Sequence, residues 1–193
     1  YATLTAPKPL NTVDFRNRIG ATEGAVSFIV GENKSFIQLI RRDGIFIGEI
    51  KEGEESLNES VQALRTALEL KAGTINEFDS SLAYSLYNRL FISVKDKLLD
   101  LNHLIIIPSG PLASLPFSLL IEKDPKDEGY EKVSWMVSRM AFSYSPSLKT
   151  FYSQRTAAKN SKPTKKLFAL ANPLLTGEKV QTKDTEDGLS ALA

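Results

Sequence analysis

The sequence contains no cysteine, so it has no thiol nucleophile, no thiolate metal ligand and no disulfide. Imidazole is nearly absent as well. His103 is the only histidine, which leaves no material for a centre built from several such ligands. Long apolar runs are also missing: residues 104–108 form one of the longest, far short of the roughly 20 residues of a membrane-spanning helix. Neither sign of charge dominates, since 24 Lys and Arg stand against 23 Asp and Glu. No net field draws such a chain to nucleic acid or to an acidic membrane. The chain opens at Tyr1 without a basic stretch followed by an apolar one, and it reads as a piece of a longer protein. The lack of cysteine fits a reducing compartment, and a cytoplasmic protein is expected.

What is present is ordinary for a folded domain. Hydrophobic residues make up 42% and charged residues 24% of 193, enough to bury a core without metal, cofactor or disulfide. Residues 1–23, with Pro7 and Pro9, read as a lead-in, in which residues 11–19 suit a short helix with Val13, Phe15 and Ile19 partly buried. Residues 25–30, 36–40 and 45–50 have strand character. Gly31 to Lys34 and Asp43-Gly44 separate them, and Asp-Gly supplies the positive φ values of a tight hairpin, so an antiparallel meander is expected.

Leu57, Val61, Leu64 and Leu68 form one stripe of an amphipathic helix over residues 56–71. Asp79-Ser80-Ser81 offers caps for a second helix to about Asp100, burying Leu82, Leu86, Leu90, Val94 and Leu98. Residues 104–107 are apolar throughout, as in a strand buried on both faces. A short helix is expected over residues 115–121, a surface loop over 123–132 and a strand over 135–144. Ser145-Pro146-Ser147 opens a further helix with Leu148, Phe151 and Tyr152 on its apolar side, residues 157–166 read as a linker, and residues 167–171 as another buried strand. The fold class is α/β: an antiparallel meander plus buried strands flanked by helices.

The run Leu104-Ile105-Ile106-Ile107-Pro108-Ser109-Gly110-Pro111-Leu112-Ala113-Ser114-Leu115-Pro116-Phe117 closely resembles the hallmark of CHAT domains, caspase-like domains often found behind TPR arrays. Residues 24–50 and 78–90, Trp135-Met136-Val137, Tyr144-Ser145-Pro146-Ser147-Leu148 and residues 167–173 follow in the family's order, so the resemblance spans about residues 24–175. It implies that residues 24–156 form an N-terminal, catalytically silent pseudo-caspase subdomain. Residues 167–193 would begin a caspase-like core. Members resemble caspases and separases in using a histidine in a His-Gly context and a cysteine, and neither motif occurs here. The resemblance therefore assigns no catalytic, cofactor or metal residue. It implies structural roles for Pro108, Ser109, Gly110, Leu112, Pro116, Phe117, Ser145, Pro146 and Ser147, and an edge of a substrate pocket near Asn172 and Pro173.

Sharper readings of single residues fare worse than plain ones. His103 precedes a buried strand, whereas open α/β sheets place chemistry at the carboxyl ends of strands, so a structural role is expected. Ser109 lacks the Gly-x-Ser-x-Gly frame of a nucleophile elbow. Pro108, Pro111 and Pro116 deny the same loop the free N–H groups of a phosphate cradle. Asn172-Pro173 is also a common turn opener. Arg41-Arg42 and the lysines at 162–166 lack interleaved aromatics, which suits a solvated tip and a linker better than nucleic acid. Residues 124–131 lack the spacing of a calcium loop.

The expectation is a bacterial, cytoplasmic, non-catalytic part of a CHAT-type cysteine peptidase, with a non-enzymatic interaction scaffold as the alternative. Its expected partners are the rest of the caspase-like core, an upstream TPR array and, in the full-length protein, a peptide or protein substrate. Neither nucleic acid nor membrane is expected. An incomplete sheet leaves an open edge, from which a homo-oligomer is expected.

Overall fold

The meander forms as expected, but one of its turns is made differently. β1 (Glu23–Ile29), β2 (Ser35–Arg41) and β3 (Ile45–Ile50) pair antiparallel, and the Arg41 N–H closes on the Gly44 carbonyl at 2.8 Å. Arg42 and Asp43 are thus the central turn residues, and neither Asp43 nor Gly44 has the positive φ expected of them. This is a computed structural model that describes residues 10–160 apart from 72–73, 76 and 127–128.

Two more strands extend the sheet. β4 (Leu70–Lys71) and β5 (Thr74–Ile75) make a small separate pair, whereas β6 (His103–Ile107) and β7 (Ala141–Tyr144) join the main sheet in the order β3-β2-β1-β6-β7. β1, β6 and β7 run parallel. The continuous apolar run of β6 is explained by its central place: Leu104 and Ile106 enter one core, Ile105 and Ile107 the other.

Helices cover both faces. α1 (Thr12–Arg16) and α4 (Leu148–Asn160) lie on one, where Phe15, Ile19 and Phe151 pack with Ala25, Ile40, Ile105 and Ile107. α2 (Glu54–Leu68) and α3 (Ser80–Phe91) lie on the other, with Leu57, Val61, Leu86 and Leu90 fully buried against Val26, Leu39 and Ile106. Asp79 caps α3 as its sequence suggests, accepting the Leu82 N–H at 2.8 Å. The β6–β7 connection buries Leu112, Phe117 and Met136 on that same face.

Several boundaries differ from the sequence reading. The lead-in holds a core element, since Phe15 of α1 is fully buried and Glu23 already belongs to β1, while Val13 faces solvent. Leu68 is exposed because it is the last residue of α2, whose cap Glu69 is already extended. The helix from Asp79 stops at Phe91 and tightens into a 3₁₀ segment, Ile92–Lys97, that still buries Val94. Residues 115–121 make no single helix: 3₁₀ turns Gly110–Ser114 and Phe117–Leu119 flank Pro116, which has no N–H to continue a helix. Of residues 135–144 only the last four are strand. Val133, Met136 and Met140 are buried at helical spacing, and Met136–Ser138 forms a 3₁₀ turn. α4 continues to Asn160, so the polar stretch from residue 157 begins as helix. The strand expected over 167–171 lies outside the described residues.

Candidate functional site

The motif after β6 is a packing device. Ser109 donates its hydroxyl to the Phe28 carbonyl at 2.8 Å, tying the turn back to β1. Gly110 has φ +53°, the left-handed region that favours glycine, and opens the 3₁₀ turn that carries Pro111. The turn drives Leu112, Leu115 and Phe117 into the core, where the Phe117 ring stacks on Phe28 at 5.5 Å and meets Phe91 edge-on. Pro108 and Pro116 stand half-buried at either end of this segment.

The Ser-Pro-Ser motif works in a similar way. Buried Ser145 extends the β7 ladder through its N–H to Ile106 at 3.0 Å, and its hydroxyl donates to the Ser147 carbonyl. Exposed Pro146 turns the chain between them. Ser147 then caps α4, its Oγ accepting the Thr150 N–H at 3.0 Å. The hydroxyls of Ser109 and Ser145 donate to backbone carbonyls, while Ser147 Oγ meets the Thr150 side chain as well as its N–H.

Elsewhere, four side chains converge that the sequence reading did not join. Glu23 and His103 are partners across the parallel β1–β6 ladder, and Ser143 projects from β7 on the same face. His103 Nδ1 lies 2.9 Å from Glu23 Oε1, and His103 Nε2 lies 2.8 Å from Ser143 Oγ. Arg155 of α4 donates to the same Glu23 oxygen at 2.7 Å, and the Gly20 N–H donates to the other at 2.8 Å. The His103 side chain keeps 23% of its surface exposed, so the group is open to solvent rather than sealed in a cavity.

The electrostatics fix the roles. Burial works to raise the Glu23 pKa, but the hydrogen bonds from Arg155, Gly20 and His103 outweigh it and hold the carboxyl at about 2. An ionised carboxylate only accepts, so His103 Nδ1 carries the proton. In neutral imidazole Nε2 is then a free base, and it accepts the Ser143 hydroxyl. A pocket of about 500 Å³ lined by Asp14, Asn17, Arg18, Tyr152 and Arg155 opens beside this group. Among the described residues no cluster has the makings of a metal centre, and no helix is long and apolar enough to cross a membrane.

Sequence patterns alone could have nominated Glu23 and His103 only as polar residues opening apolar strands. Ser143 and Arg155 carried no signal at all. Asn172 and Pro173, the expected pocket edge, lie outside the described residues.

A family model for the CHAT domain matches residues 80–192, more than half of the chain. The chain belongs to the CHAT domain family. The match takes in β6, the Pro-Ser-Gly-Pro turn, the Ser-Pro-Ser cap and α4, and leaves the meander outside. The sheet nevertheless makes the meander part of the same body, since β1 is the parallel neighbour of β6, the strand of the CHAT hallmark. No curated protein matches the chain.

Proposed function

We propose that this chain is the N-terminal part of a cytoplasmic CHAT-type cysteine peptidase, silent in that enzyme's thiol chemistry, and that it supports or regulates the caspase-like core. The observation that carries this reading is the absence of any cysteine from a chain with CHAT membership. Thiolate attack needs sulfur that ionises, and the two methionine thioethers do not. The chain's one imidazole is bound at both nitrogens at the amino ends of strands, far from the carboxyl-end position such a dyad uses. The motifs after β6 and β7 serve packing and capping, which suits a supporting role.

The test compares this chain alone with the protein extended through its expected His-Gly and Cys motifs. The chain alone should cleave no peptide, and the extended protein should cleave peptides in a way lost on replacing the cysteine by alanine. Peptide cleavage by the chain alone that survives repurification would overturn the proposal. If the extension lacks the two motifs, the interaction-scaffold reading replaces it.

A further inference from the structure

The group on β1, β6 and β7 has the connectivity of a nucleophile, a base and an orienting acid. From the distances Ser143 Oγ to His103 Nε2, 2.8 Å, and His103 Nδ1 to Glu23 Oε1, 2.9 Å, we propose that Ser143 is an acyl-accepting nucleophile, with His103 its general base and Glu23 the group that orients the base. Such a triad is recognised by geometry and roles, whatever the order in the chain or the fold beneath it. This inference concerns small activated esters, not peptide bonds, and it stands or falls separately from the reading of the chain as silent in cysteine chemistry.

Three features support it. Glu23 is held ionised by Arg155 and Gly20, so it fixes the tautomer that leaves Nε2 free to take a proton. Ser143 sits on β7, an edge strand among the described residues, and is only partly buried. The ladder supplies the third. Ala141 and Ser145 donate their N–H groups to the carbonyls of Asn102, just before β6, and Ile106 at 2.8 and 3.0 Å, so by alternation the N–H groups of Phe142 and Tyr144 point away from β6, to an edge open among the described residues. Among the described residues the Tyr144 N–H, next in the chain to Ser143, is thus the backbone donor left for an oxyanion. With one such donor among the described residues, the site turns over slowly.

The chemistry balances without a further reactant except water. Ser143 Oγ forms a bond to the ester carbonyl carbon as its proton passes to His103 Nε2. The C–O bond to the alcohol then breaks, and the leaving oxygen takes that proton. Water, deprotonated at Nε2, then attacks the acyl carbon, the Ser143 Oγ–C bond breaks, and Oγ takes the proton back from Nε2 as the acid leaves. Arg155 shares the Glu23 oxygen with His103 and is a positioning residue.

The experiment treats the whole chain with a fluorophosphonate, in which Ser143 Oγ attacks phosphorus and fluoride leaves, and reads the adduct by intact mass and peptide mapping. One adduct on Ser143 is expected, absent in Ser143→Ala and formed about 100-fold or more slowly in His103→Gln. Circular dichroism melts of both variants establish that they are folded. Should His103→Gln unfold, Glu23→Gln replaces it, with labelling of Ser143 expected to slow as the base loses its orienting group. No adduct, an adduct on other serines, or a Ser143 rate indifferent to both His103 and Glu23 would overturn the proposal.

Discussion

At Gly53 the backbone geometry overrides the usual chemistry of a helix start. Ser, Thr, Asp or Asn is ordinarily favoured before the first turn, yet a Cβ there would stand 1.7 Å from the Glu32 carbonyl oxygen. That oxygen is hard to displace, because the neighbouring Gly31 carbonyl is fixed by the Glu54 N–H at 2.8 Å. Gly53→Ala is expected to destabilise the fold by about 1–3 kcal/mol, read as a lower denaturation midpoint at unchanged slope. An unchanged midpoint would show that the loop before α2 yields freely. Nothing in the local sequence marks this position, since a glycine between Glu52 and Glu54 reads simply as the end of a strand. Ser109 teaches the opposite lesson. Its flanking prolines already pointed to a turn, and its hydroxyl is spent on the Phe28 carbonyl.

Elements were legible in proportion to how local their causes are. The place of the β2–β3 turn and the start of α3 at the Asp79 cap were legible because both are settled within four residues, although the turn centres on Arg42-Asp43 and uses no positive φ. The 3₁₀ segment Ile92–Lys97 was not legible, since its apolar positions continue the stripe of α3 and only packing against the sheet tightens the turn. What joins elements was less legible still. Glu23 links β1 to β6 through His103 and to α4 through Arg155, and its carboxyl is held at about 2 against 4.5 in the free side chain. A pKa lowered in the folded state contributes stability that is complete above about pH 4.5 and is lost as the pH falls towards 2. Unfolding free energies of the wild type are therefore expected to decline through that window, and those of Glu23→Gln to decline less. Equal acid slopes in the two proteins would remove Glu23 as the cause.

Among the described residues the sheet has five strands, mixed in direction, with helices on both faces and β3 and β7 at its edges. Edge strands present unpaired N–H and C=O groups and invite pairing with another chain. Light scattering across a dilution series is expected to show concentration-dependent self-association, and a strict monomer at every concentration would contradict it. The sequence by itself determined what chemistry is absent, the meander, the central apolar strand and the family hallmark, because composition, turn residues and periodicity are properties of short stretches. Only the tertiary structure decided that β1 lies beside β6 and β6 beside β7, and so brought Glu23 to His103 across 80 positions and His103 to Ser143 across 40. Strand propensity says that a segment extends. It carries no information on which neighbour it pairs with, a choice made by the burial of both sheet faces at once.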